Sequence, residues 1–338
     1  MSDGYLQDVE NCFAAGWSDG LPVIPPYGSL VEAMLAALGW EATEVVGAIP
    51  SQSIEIRAEQ LAATAVMAGC ETRYGPLLRA LSEALVDPRF NLSGVEVTTG
   101  GVAALVIVGG PIVKELGFAH EANALGANAR PNATIGRFAQ MVRLFCGRGG
   151  GALQPHGTVG HPGRIGFLIA EHPETLWPSF HTQLGHAPGV SAISVMAAEG
   201  PNSVNNHFAS TGAAVLETIA DCIAHSGTTN FYYRHGAYVV ALAPDHAELV
   251  TSDFSRDDAR AFLMEKAVRA TDELVRLGRI PEVPRADLDV VAGTMRVPVR
   301  DPGRIHFIET GAPGGKFSAV VPAWAGSRHD VSREIPTS

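Results

Sequence analysis

Six residues constrain this chain more than any others, because they occur twice. Pro162-Gly163-Arg164-Ile165-Gly166-Phe167 returns as Pro302-Gly303-Arg304-Ile305-His306-Phe307. The flanks repeat in the same order. The apolar run Ala103 to Val108 ends in Gly109-Gly110-Pro111, with Glu115-Leu116 beyond. The apolar run Tyr238 to Leu242 ends in Ala243-Pro244, with Glu248-Leu249 beyond. Each run leads to an amphipathic helix with a polar N-cap candidate: Asn132 before Ile135, Phe138, Met141, Val142 and Phe145, and Ser255 before Ala259, Phe262, Leu263 and Ala267. Downstream, Ser191 to Val195 in one copy answers Ser318 to Pro322 in the other. Such a chain is expected to fold as two similar halves arising by internal duplication. The expected divisions are an N-terminal arm and helix over 1–50, a first α/β repeat over 51–207 and a second over 208–338.

Periodicity predicts helices over 1–15, over Ser29 to Leu38 with Ser29 as N-cap, and over Ala58 to Cys70, Pro76 to Val86 and Ala213 to His225. Strands are expected at Glu44 to Ile49, Val95 to Thr98, Ala103 to Val108, Phe231 to Tyr233, Tyr238 to Leu242 and Phe317 to Val321. Paired strands, instead of strict strand–helix alternation, predict an α/β fold of the α+β kind. Its sheets should be mixed or antiparallel with helices packed on them. Gly147 to Gly151 reads as the end of a helix. Two glycines and three prolines make Gly16 to Pro26 a rigid arm, packed by Trp17 and Leu21 and expected to lie over the seam between the halves.

The totals exclude some partners. A formal net charge of −11 argues against a nucleic-acid or anionic-membrane surface. No apolar run approaches the length of a spanning helix, and the N-terminus lacks the basic and apolar regions of a secretory signal, so a cytoplasmic protein is expected. Four cysteines without CxxC spacing predict neither a disulfide framework nor a zinc knuckle.

The arm Gly16-Trp17-Ser18-Asp19-Gly20-Leu21-Pro22-Val23-Ile24-Pro25-Pro26 resembles an uncharacterised bacterial family opening with Gly-Trp-Ser/Thr-Asp-Gly-Leu-Pro-Val-x-Pro-Pro. Met67-Ala68-Gly69-Cys70, Phe90-Asn91-Leu92, Asn132 to Arg137, Gly160-His161-Pro162-Gly163 and Gly314-Gly315-Lys316-Phe317-Ser318 also fit, over nearly the whole chain. The resemblance implies a companion of small thiol- or selenol-containing proteins of the UGSC type. It implies no particular reaction, and it draws attention to Cys70.

Chemistry is expected where glycine-rich strand ends converge on the seam. Gly311 to Ser318 is not a P-loop: three residues separate Gly311 from Gly315, and Phe317 follows Lys316. The backbone of Gly314 and Gly315 with Lys316 still offers anion contacts, or else forms a plain turn. Glu199, Asn205, Asn206 and His207 form a dense polar cluster suited to holding a polar substrate and moving a proton; the bland alternative is an Asn-rich turn. Arg130 offers a clamp for a carboxylate or else lies in a solvated connection, and Asp19 either reaches a pocket from the arm or belongs to an arm that only packs. His161 and Asp301 occupy matching positions before the two prolines, either as an acid/base pair or as turn caps, and Arg164 follows His161. His156 and His161 flank a glycine-rich loop, a spacing that differs from the helical His-x3-His of metal sites, and no HExxH occurs. No metal ligand is assigned, and whether a metal joins the histidines, like the identity of any cofactor, stays open.

Two readings stand. One is an enzyme acting on a small polar, carboxylate-bearing metabolite at the seam, with His161 or His207 as acid/base. Its substrate-binding set is Asp19, Arg130, Arg164, Glu199, Asn205, Asn206, Gly314, Gly315 and Lys316. The other is a thiol-redox or non-catalytic partner of a small thiol/selenol protein, using Cys70. A homo-oligomer is open under either.

Overall fold

Long apolar runs without a polar interruption suit strands covered on both faces, and the architecture grows from two pairs of such strands. The computed structural model describes residues 3–49, 53–126, 128–146, 157–282, 290–326 and 330–336. Helices α1 (Asp3–Ala14) and α2 (Gly28–Leu38) precede an antiparallel pair, β1 (Val45–Ile49) and β2 (Ile54–Arg57). Then come α3 (Ala58–Ala68), α4 (Gly75–Leu85), α5 (Leu92–Val97), β3 (Ala103–Gly109), α6 (Ile112–Glu115), α7 (Arg130–Cys146), β4 (Leu168–Ala170), α8 (Phe180–Gln183), β5 (Ala192–Ala198) and β6 (Asn202–Asn205). The rest of the chain forms α9 (Gly212–His225), α10 (Asn230–Tyr233), β7 (Tyr238–Leu242), α11 (Pro244–Asp253), α12 (Arg256–Lys266), β8 (Arg269–Ala270), α13 (Thr271–Arg276), β9 (Met295–Arg296), β10 (Ile305–Glu309), β11 (Phe317–Pro322) and β12 (Val331–Glu334).

Two four-stranded mixed sheets, ordered β4-β3-β5-β12 and β10-β7-β11-β6, carry the molecule. In each, the first two strands are parallel and the remaining pairs antiparallel. Their inner faces pack together through Leu105, Ile107, Ile169 and Met196 on one side and Val239, Ile308 and Val321 on the other. Helices α2, α3, α4 and α7 cover the outer face of the first sheet, and α9, α11 and α12 that of the second. The result is a four-layer α/β/β/α sandwich. The fourth strands are exchanged. After β5 the chain crosses to pair β6 with β11, and after β11 it returns to pair β12 with β5. The crossovers touch: Ala198 bridges Ala323, Glu199 N–H donates to Pro322 O at 2.8 Å, and Trp324 N–H donates to Ala197 O at 2.8 Å. A division at 207 therefore leaves β6 in the first segment although it pairs in the second sheet.

The repeated hexapeptide folds alike only at its start. Both Pro-Gly-Arg triplets form one 3-10 turn, capped by His161 Nδ1 on Gly163 N–H (3.1 Å) and by Asp301 Oδ1 on Gly303 N–H (2.8 Å). Ile165 then stays helical (ψ −43°) while Ile305 is already extended (ψ 106°). Strand side chains alternate, so this slip sends Phe167 to the inner layer and Phe307 to the outer one.

Other expectations are corrected. Val95 to Val97, with Thr98 as C-cap, and Phe231 to Tyr233 belong to α5 and α10, not to strands. Asn91, in the left-handed region, caps Gly94 N–H at 3.2 Å and so turns the first of them. Ser29 lies within α2, whose N-cap is Tyr27, and Asn132 lies inside α7. The Asn132 amide instead pairs with the Ala119 backbone (2.8 and 2.9 Å). The arm packs, but on α3 and α7 through Ile24 N–H to Met67 O (3.3 Å) and Asp19 to Arg137, not over the seam. Trp17 and Leu21 are exposed. Gly147 to Gly151 and His156 lie outside the described residues.

Candidate functional site

At the seam, where the two crossovers meet at one end of the sandwich, loops and strand ends enclose a cavity of about 590 Å³. That size suits a small molecule. Its wall combines the turn before β3 (Thr98, Thr99, Gly100, Gly101), the end of β5 (Glu199), the α9–β7 segment (Thr229, Tyr233, His235) and the end of β11 (Trp324). The turn is built tightly. Gly100 N–H donates to Thr98 Oγ1 at 3.1 Å, and Thr158 N–H donates to Thr99 O at 2.9 Å. A Cβ on Gly101 would stand 3.2 Å from Gly160 O, so a side chain there would push the two loops apart. Glu199 is half-buried and anchored through its backbone to Pro322. Burial pushes its carboxyl up to about 7, against a weaker opposing hydrogen bond from the Thr229 backbone. This carboxyl changes charge near neutral pH inside a cavity lined with hydroxyls.

Behind the Gly100-Gly101 wall lie His161 and Arg164. Both imidazole nitrogens of His161 serve the backbone, Nδ1 accepting from Gly163 N–H and Nε2 facing Ala198 O at 3.3 Å. Burial lowers its pKa and keeps the ring neutral. Here His161 works as a turn cap. Arg164 has a buried Nε and Nη2 without a hydrogen-bond partner among the described residues, and burial with the nearby Arg143 lowers its pKa. Its counterpart Arg304 is paired with Asp330 at 2.5 Å, and Asp330 also meets His306 at 2.8 Å.

The remaining sequence-derived candidates lie elsewhere. Asn205, Asn206, His207, Gly314, Gly315 and Lys316 gather at the opposite end of the sandwich. There Asp245 takes Gly314 N–H (2.6 Å), and Lys316 Nζ donates to His207 O (3.2 Å). The Asn206 amide donates to Thr218 Oγ1 (2.8 Å), and the Asn205 amide meets His207 Nδ1 (2.7 Å). His207 is exposed, its ring edge-on to Phe317. These contacts close the loop on itself, and Gly315 borders a second cavity of about 550 Å³.

Cys70, Asp19 and Arg130 form a third group under the arm. The Asp19 carboxylate is bidentate with Arg137 (2.7 and 2.9 Å); burial opposes ionisation, but this pairing outweighs it and lowers the pKa. Arg130 is held by Gly69 O and Glu71. Cys70 is buried, its thiol donating to Thr134 O at 3.4 Å, and burial pushes its pKa up to about 12.

Only Glu199 of the expected set lines the seam cavity. Thr229, Tyr233, His235 and Trp324 were missed, since strand exchange and not local spacing brings them to Glu199. No family model matches the chain, and a comparison with characterised proteins gives no match.

Proposed function

We propose that the protein is an enzyme acting on a small, polar, carboxylate-bearing metabolite in the seam cavity, with Glu199 as the proton-transferring group. The reading rests on one arrangement: Glu199, whose carboxyl is half-buried and pushed up to about 7 by that burial, lines a cavity of substrate size. A general acid or base works best when its pKa lies near the working pH. Thr98, Thr99, Thr229 and Tyr233 supply hydroxyls that position a polar ligand by hydrogen bonds. The Arg164 guanidinium behind the wall biases the interior toward an anion. In this reading His161 is a positioning residue, because its ring holds the turn that carries Arg164.

Thermal-shift screening against small hydroxy-, oxo- and amino-carboxylates should give a stabilising ligand. With the substrate so found, Glu199→Gln should lower kcat by roughly 10²–10⁴-fold with a much smaller change in KM. The limb of the pH–rate profile near 7 should disappear with it. Thr229→Val should weaken binding. A ligand bound and turned over equally by wild type, Glu199→Gln and Thr229→Val would sink the proposal.

The alternative, thiol chemistry at Cys70 with a small thiol or selenol partner, has less support. A thiol with a pKa near 12 that is buried against a carbonyl is a poor nucleophile at neutral pH.

A further inference from the structure

At the end of the sandwich opposite the seam cavity, His120, Glu121 and His172 come together from distant parts of the chain. One potential ligand atom from each lies within 4.8 Å of the other two, and the two rings meet edge-on with centroids 5.1 Å apart. The loops that bring them are both stitched to the end of β10. His120 O accepts from Gly311 N–H (2.9 Å) and from the Thr310 hydroxyl (3.1 Å), and His172 N–H donates to Glu309 O (2.7 Å). The Thr310 hydroxyl also reaches Ala170 O at 2.9 Å, just before His172.

Each ring has its Nδ1 beside backbone. His120 Nδ1 lies 3.0 Å from Phe118 O. His172 Nδ1 lies 3.0 Å from Glu174 O and 3.1 Å from Glu174 N. An Nδ1–H given to a carbonyl, the arrangement at His120, orients the imidazole and leaves Nε2 with its lone pair, which is how metal-ligating histidines are commonly held. At His172 the Glu174 N–H competes for the same nitrogen, and ligation through Nε2 requires the tautomer that gives its Nδ1–H to Glu174 O. Both rings are half-buried, and Glu121 is exposed.

We propose that His120, Glu121 and His172 bind a divalent transition-metal cation of the zinc class. Two imidazoles and one carboxylate form a donor set that such ions favour, and three protein ligands leave a coordination position open. Ligand atoms around tetrahedral zinc stand about 3.3 Å apart, so the three side chains close by roughly an ångström on binding. Ala122 to Leu125, which continue from Glu121, and Thr310-Gly311, which hold His120, line the cavity of about 550 Å³. An open position beside this cavity suits a small anionic ligand. The proposal is independent of the seam cavity and of Glu199.

Full-length protein stripped with a chelator is titrated with Zn²⁺ by calorimetry, and with Co²⁺ followed in the visible spectrum. One equivalent should bind, with the d–d bands of a nitrogen- and oxygen-ligated cobalt. His120→Gln and His172→Gln should each weaken binding at least about 100-fold, more than loss of an outer hydrogen-bond partner costs. Glu121→Gln should weaken it about 10-fold. His207→Gln, at an exposed histidine near the same end, should leave it unchanged. Equal metal-free melting of all variants separates ligand loss from misfolding, and Glu121→Gln, at an exposed position, keeps the test usable should a histidine variant fail to fold. Absence of stoichiometric uptake, or uptake insensitive to all three substitutions, overturns the proposal.

Discussion

Two arginines at matching turns show how one residue type is handled in two ways. Arg304 shares Asp330 with His306, all three largely buried, whereas Arg164 keeps two guanidinium nitrogens without a hydrogen-bond partner among the described residues. Removing one member of a buried charge group strands the others without compensation. Asp330→Asn should therefore cost about 3–5 kcal/mol in urea unfolding. Glu174→Gln, which breaks an exposed pair with Lys114, should cost no more than about 1 kcal/mol. The pH dependence has a definite sign. Burial opposes ionisation of Asp330, but His306 and Arg304 outweigh it and lower the carboxyl pKa. Its contribution is thus present above the unfolded carboxylate value of about 3.9 and is lost as pH falls through the lower folded value. Wild type should lose stability more steeply than Asp330→Asn on acidification below about pH 4, as thermal melting across pH would show.

Among the elements, α4 and α9 begin alike, each on a glycine pressed against another helix. A Cβ on Gly75 would stand 2.2 Å from Ala37 O of α2, and one on Gly212 would stand 2.6 Å from Leu249 O of α11. Neither backbone oxygen can yield without moving its helix. Gly75→Ala and Gly212→Ala should each destabilise by about 1–3 kcal/mol, measured by chemical denaturation, despite alanine's better helix propensity. The sequence made the strands legible where short apolar runs rich in β-branched residues were bounded by turn residues, as in β3, β7 and β11, since strands buried on both faces favour such runs. It misled at α5 and α10, where β-branched and aromatic residues read as strand but a local cap and tertiary packing impose a turn of helix. The candidate site was less legible still. Glu199 was legible only as part of a polar cluster with Asn205, Asn206 and His207, and its actual neighbours Thr229 and His235 have no spacing relation to it. His120 and His172 are likewise joined only by the fold. A hexapeptide match located the turns but not the faces, because one extra helical residue at Ile165 inverts the alternation that follows.

For the whole molecule, the two sheets share one strand order, and each takes its fourth strand from the part of the chain that builds the other. The exchange makes each sheet depend on both parts of the chain. Fragments 1–207 and 208–338, expressed separately, should lack a cooperative melt, and co-expressed they should associate one to one and recover it. A fragment that melts cooperatively alone would show that the exchanged strand is dispensable. There is also a consequence in time. On the ribosome, β5 emerges early with β3 and β4, yet β12, which covers its free edge, is made only after the whole second sheet. At ordinary translation rates that interval is roughly 7–27 s. An open strand edge is a template for unwanted pairing, so the nascent chain's exposure to aggregation is set by how fast it is synthesised, not by how fast it folds.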